Sequence, residues 1–185
     1  MFDALFTTTT EYKKLSHALS GKGACALFGL PASGRAQVYA ALCRQLDKPL
    51  CIVTPGEAEA TRFAADLNTL GIPAAVFPAR DYVLRPIEGT AREYEYRRLA
   101  VLGELVGGRL RAVAVPAEAL TQFTTPKEDF CANTRTLHTG DTLLRDDLLA
   151  ALFGAGYTRR AQVDGPGQFS VRGDIVDIFA PDQKM

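Results

Sequence analysis

The sequence predicts an α/β protein: a parallel sheet with helices on both faces, followed by a smaller α+β region. Three observations carry this. Short apolar runs without polar alternation recur (ACALFGL, PLCIVTP, AAVFP, RAVAVP), as strands covered on both faces require. Between them lie segments whose apolar residues recur at helical spacing. That rhythm ends near QFTTPKED (122–129), and short β-like segments around one helix take over.

ACALFGL (24–30) is the first strand candidate, and Val38, Ala41, Leu42 and Leu46 then share a helical stripe. PLCIVTP supplies a second strand, followed by a stripe of Ala60, Phe63, Ala64, Leu67 and Leu70 that Gly71 and Pro73 stop. AAVFP is a third strand, Leu99, Leu102, Leu105 and Val106 mark another helix, and RAVAVP is a fourth strand. Alternating strands and helices of this kind imply right-handed crossovers in a parallel sheet. FPARDYVLRPIEGTA (77–91) interrupts the rhythm with Pro78, Pro86 and Gly89. It is long for a strand-to-helix connection, and suits either a functional loop or a solvated crossover.

The change of pattern divides the chain into an α/β domain, residues 1–124, and a second domain, 125–185. In the second, DTLLRDDLLAALFGAGY carries Leu144, Leu148, Leu149 and Leu152 on one helical face. Asp141 or Thr142 is placed to cap that helix, and Gly154 or Gly156 to close it. TRRAQVDGPGQFSVRGDIVDIFAP reads as two strands around a turn at Asp164-Gly165-Pro166-Gly167. Phe169 and Val171 share one face of the second strand, yet Val176 and Ile178 fall on the other. The phase slips at Arg172-Gly173-Asp174, which suggests a β-bulge or sharp bend.

Composition narrows the function classes. An apolar fraction of 47 % with 23 % charged residues describes a soluble globular chain. The 21 basic and 21 acidic residues cancel, which argues against whole-chain attraction to nucleic acid. A local patch of Arg92, Arg97, Arg98, Arg109 and Arg111 keeps DNA binding open as a rival reading. The four cysteines have no C-x-x-C spacing and read as small buried hydrophobes; with two histidines, no metal site is expected. No signal-peptide core and no bilayer-length apolar run is present, so a cytoplasmic protein is expected.

Residues 29–36, GLPASGRA, have the layout of the phosphate-binding loop G-x-x-x-x-G-K-[ST]. Gly29 and Gly34 are in place, but Arg35 replaces the lysine and Ala36 the magnesium-binding hydroxyl. A guanidinium fork does not substitute for a compact ammonium, and Pro31 removes one N–H from the cradle. No carboxylate stands at the end of a later strand to hold magnesium. Hydrolysis is therefore not expected, no catalytic residue is assigned and no cofactor is implied; weak anion binding stays open.

The strand, the altered loop, the interrupted sheet and GYTRRAQVDGPGQFSVRGDIVDIFAP together resemble a UvrB-like module of bacterial nucleotide-excision repair. That module is shared by UvrB and by the transcription-repair coupling factors (Mfd). The second-domain pattern G-x-F-x-x-R-G-x-x-x-D-I-F-P is its most specific part, and Ala180 before Pro181 departs from it. UvrB keeps a working loop, whereas the coupling factors have a decayed one, as at Arg35 and Ala36; FPARDYVLRPIEGTAREYEYRRLAVLGEL likewise resembles the coupling factors.

The resemblance implies a P-loop-NTPase-like first domain and a truncated domain that binds UvrA. Such a fragment is a non-catalytic adaptor. The translocase motor, with its RNA polymerase and double-stranded DNA partners, belongs to the full-length protein. By position, the resemblance places the UvrA-binding residues at Arg159 and Arg172, together with Phe169, Ser170 and Gly173. Ser170 stands where UvrB-type sequences often have arginine. A helicase fragment that binds ATP or DNA is the alternative. Truncation also leads us to expect open strand edges and self-association.

Overall fold

The computed structural model describes residues 7–21, 23–46, 48–80 and 93–181. The elements run α1 (Thr10–Ser20), α2 (Ala32–Gln45), β1 (Leu50–Thr54), α3 (Glu57–Thr69), β2 (Ala74–Val76) and α4 (Glu93–Val106). They continue as β3 (Ala112–Pro116), α5 (Ala117–Leu120), α6 (Lys127–Ala132), α7 (Arg145–Gly154), β4 (Thr158–Arg159), β5 (Gln168–Arg172) and β6 (Ile175–Phe179). Two units result: Met1–Ala79 with Gly107–Thr121, and Arg80–Val106 with Gln122–Met185.

The first unit is built on β3, every residue of which is buried. It lies between β1 and β2 and pairs with both in parallel, with Leu50 and Ala74 each opposite Ala112. Ile52, Ala74, Ala112 and Ala114 meet Ala60, Phe63, Ala64 and Leu67 of α3, the stripe read from the sequence. Ala36, Ala40 and Cys43 of α2 join the same core, their small side chains permitting close helix packing. Tyr12 of α1 packs on Val38, Ala41 and Leu42.

Polar ties set the register between these layers. The Asn68 side chain donates to the Ala74 carbonyl at 2.8 Å and accepts from the Ala74 N–H at 3.1 Å, fastening β2 to the end of α3. Arg111, at the entry to β3, donates to the carbonyls of Cys43 and Leu46 that α2 leaves open.

Two expectations for this unit need correction. ACALFGL forms no strand: residues 23–28 have no assigned regular structure, and Phe28 is 87 % exposed. The sheet has three strands, because an apolar run makes a strand only where a neighbour supplies its hydrogen bonds. Helices α2 and α3 share one core with the sheet face at Ile52, and α4 groups with the second unit. Cys51 and Val53 lie exposed on the edge strand β1. Cys25 and Cys131 are exposed as well, so Cys43 alone of the four is a buried hydrophobe; burial pushes its thiol pKa up. The expected loop at 77–91 falls largely on residues 81–92, outside those described.

In the second unit, β5 and β6 form an antiparallel pair and β4 adds to β5 in parallel. The Arg172-Gly173-Asp174 slip is therefore the hairpin turn itself, not a bulge: Arg172 lies opposite Ile175, leaving Gly173-Asp174 as a two-residue loop. Gly173 has φ 60°, which suits the first central position of a type II′ turn. The turn expected at Asp164–Gly167 instead returns the chain so that β5 starts beside Thr158, whose N–H donates to Gly167.

Phe169 is fully buried and meets Phe153 edge-on at a centroid distance of 5.1 Å. Gly167, at φ 72°, admits Tyr96 so closely that a Cβ there falls 2.6 Å from its hydroxyl. Arg98 of α4 is buried too, donating to Gln122 and Thr124. Leu144, not Asp141 or Thr142, occupies the N-cap of α7, because Asp141 accepts from the His138 N–H instead. Gly156 closes the helix as expected, with Tyr157 N–H reaching the Leu152 carbonyl.

Removing the Phe169 ring is expected to cost about 3–5 kcal/mol, since the cavity lies in a packed interior. Phe123→Ala, at a fully exposed ring, is expected to stay within about 0.5 kcal/mol. Urea denaturation of both variants checks the contrast.

Candidate functional site

The loop at 29–36 is not shaped as a phosphate cradle. Helix α2 starts at Ala32 with Pro31 as its N-cap, and the Arg35 N–H already donates to the Pro31 carbonyl. Gly34, Arg35 and Ala36 thus belong to the first turns of the helix, and Gly29 precedes it at φ 81°. The Ala36 methyl is 3 % exposed and fills the core where a metal-binding hydroxyl stands in a working loop.

Arg35 turns toward α3. Its Nη1 is 3.5 Å from the Glu59 carboxylate, and its guanidinium carbon is 5.9 Å from the Phe63 ring centre. Its Nε is buried without a hydrogen-bond partner. The only cation of the loop is thereby neutralised within the fold. Among the described residues, no three His, Cys, Asp or Glu side chains converge as metal ligands.

The patch considered for DNA is also partly spent on the interior. Arg98 and Arg111 hold internal carbonyl and side-chain acceptors, as described above. Arg97 lies over the Tyr94 ring at 5.8 Å, Arg109 is exposed, and Arg92 is outside the described residues.

The β5–β6 hairpin gathers most of the remaining candidates. Successive side chains alternate across a strand. Phe169 and Val171 therefore share a face with their partners Ile178 and Val176, while Ser170 and Arg172 share the other with Asp177 and Ile175. Phe169 belongs to the core. Ser170 is 1 % exposed, and its hydroxyl donates to Asp177 Oδ2 at 3.1 Å. Arg172 Nη2 donates to the same oxygen at 2.6 Å while the side chain stays 70 % exposed. Gly173 shapes the turn.

Arg159 is exposed but lies opposite Phe169 in the parallel β4–β5 pair. That register puts it on the face away from Arg172, so the two arginines do not share one side of the sheet. Arg160 alternates onto the Arg172 side, and its backbone N–H continues the ladder to Phe169.

Asp177 is the residue that sequence reasoning missed. It stands five positions after Arg172, which a bulged single strand carries far away and a two-residue turn folds back alongside. Hydrogen bonds from Arg172 and then Ser170 hold its carboxyl pKa below the usual carboxylate range. The sign follows: the interaction is present above the unfolded carboxylate pKa and is lost as pH falls through the depressed folded value. In a carbon-detected NMR titration, Asp177 is expected to protonate at lower pH than ordinary aspartates, and Arg172→Ala to raise that midpoint.

Comparison with known proteins bears on the same hairpin. Residues 136–185 match the family described as the UvrB interaction domain. The chain is 29 % identical over 155 residues to the transcription-repair-coupling factor of Bacillus subtilis, covering 83 % of this chain and 13 % of that protein. It is 36 % identical over 159 residues to the counterpart in Mycobacterium bovis, with 82 % and 13 % covered. A Staphylococcus aureus counterpart is 27 % identical over 153 residues. The resemblance to coupling factors therefore holds over most of the chain, which spans about an eighth of the curated relatives it matches.

Proposed function

We propose that this chain is a non-catalytic adaptor that recruits UvrA in transcription-coupled repair, as a fragment of a transcription-repair coupling factor. The observation that carries this is the overlap of residues 136–185, similar to a UvrB interaction domain, with an exposed arginine on the β5–β6 hairpin. A guanidinium so placed suits a carboxylate on a partner. Arg172 is the central contact, with Gly173 beside it on the turn and Arg159 a separate contact on the other face; Phe169 and Ser170, being buried, act by shaping the hairpin. We assign the α/β domain to 1–124 and the recruiting domain to 125–185. A translocase motor, RNA polymerase and double-stranded DNA belong to the whole coupling factor, acting in the cytoplasm.

The helical, neutralised state of GLPASGRA supports the absence of nucleotide chemistry. Calorimetric titration with Mg-ATP is expected to give no binding tighter than millimolar. For recruitment, a pull-down with UvrA is expected to retain the native chain and to lose at least about tenfold in affinity with Arg172→Ala, as truncation of a central interface arginine does. Equal retention of both forms removes Arg172 from the interface, and no retention of the native chain overturns the adaptor function.

A further inference from the structure

We propose that Asp177 is a positioning residue for the partner-facing hairpin: with Ser170 beneath it, it holds the Arg172 guanidinium in one orientation before the partner arrives. The inference rests on the recruiting function proposed above and adds to it a residue that touches no partner.

Three placements in the hairpin carry it. Ser170 and Asp177 are directly opposite in the β5–β6 register, so their side chains rise from one face. The Ser170 hydroxyl, almost wholly buried, gives the carboxylate a fixed anchor at 3.1 Å. The carboxylate in turn takes Arg172 Nη2 at 2.6 Å across the diagonal of the same ladder. A buried group thus fixes a half-exposed one, which fixes an exposed one.

The chemistry of the guanidinium decides what this does. A guanidinium presents two forks to a carboxylate, the Nε–Nη2 edge and the Nη1–Nη2 edge. One carboxylate oxygen on Nη2 occupies a hydrogen of one fork and leaves the other fork for a second carboxylate. Asp177 thereby selects the edge that the partner meets. Ordering a long side chain in advance removes part of the entropy that association otherwise costs.

A double-mutant cycle with UvrA as the partner tests this, because it isolates an effect transmitted through Arg172 from a general loss of structure. Asp177→Ala in the native chain is expected to weaken UvrA binding by about threefold to tenfold, the scale of one immobilised side chain. In the Arg172→Ala background the same substitution is expected to change affinity by less than about twofold, within the tolerance of additivity. Unchanged or tighter binding of Asp177→Ala overturns the inference by showing that Asp177 competes with the partner or is idle. An equal loss in both backgrounds overturns it by assigning Asp177 a structural role only. A native chain that fails to bind UvrA overturns the recruiting function first, and the inference with it.

Discussion

The two-residue turn at Gly173-Asp174 fixes everything else in the hairpin. Strand pairing has a period of two, so a shift of one residue between β5 and β6 reverses which side chains each face carries. In the observed register, buried Phe169 meets the ring of Phe153 and Ser170 reaches Asp177. A slipped register drives Arg172 toward the place of an apolar side chain and brings Phe169 out of its contact. Positive φ at Gly173 makes the required turn available without strain, so backbone geometry here determines surface chemistry.

The opposite end of the chain shows the same dependence of chemistry on packing. GLPASGRA has the spacing of a phosphate loop, but a loop of that kind needs a strand before it and converging N–H groups within it. Here the preceding residues lie outside the sheet, and the helix has advanced to Ala32. Ala36 then becomes a core residue against α3, and Arg35 reaches Glu59 and Phe63 on that helix. The residues that stand where a working loop has its lysine and hydroxyl are the ones that join this segment to the core.

What was legible in the sequence follows from which interactions are local. Helical stripes such as Ala60, Phe63, Ala64 and Leu67 were readable because the period of a helix is written in its own residues. The parallel sheet was readable from continuous apolar runs, and β3 fulfils that reading in full. ACALFGL misled because strand formation depends on a neighbour, which no window of one segment reveals. The hairpin was misplaced for a related reason: two turn-forming stretches, Asp164–Gly167 and Gly173-Asp174, compete in the sequence. The phase change at Val176 and Ile178 was the signal that separates them, since a hairpin reverses strand direction and restores both residues to the face of Val171 and Phe169. Reading it as a bulge hid the neighbour relation between Arg172 and Asp177.

The electrostatics of the hairpin suit selective binding more than tight nonspecific attachment. An exposed ion pair such as Arg172–Asp177 adds little to folding stability, because water screens both partners. Its effect lies in what it presents. A lone arginine on a protruding turn attracts any anion, nucleic acid included, whereas an arginine whose charge is half answered by its own carboxylate favours a ligand that offers a second carboxylate at the remaining edge. The chain as a whole is balanced at 21 basic and 21 acidic residues, so no long-range field adds an indiscriminate attraction. The placement of the Arg172 guanidinium therefore depends on local geometry more than on net charge, and the buried Ser170 hydroxyl anchors that geometry.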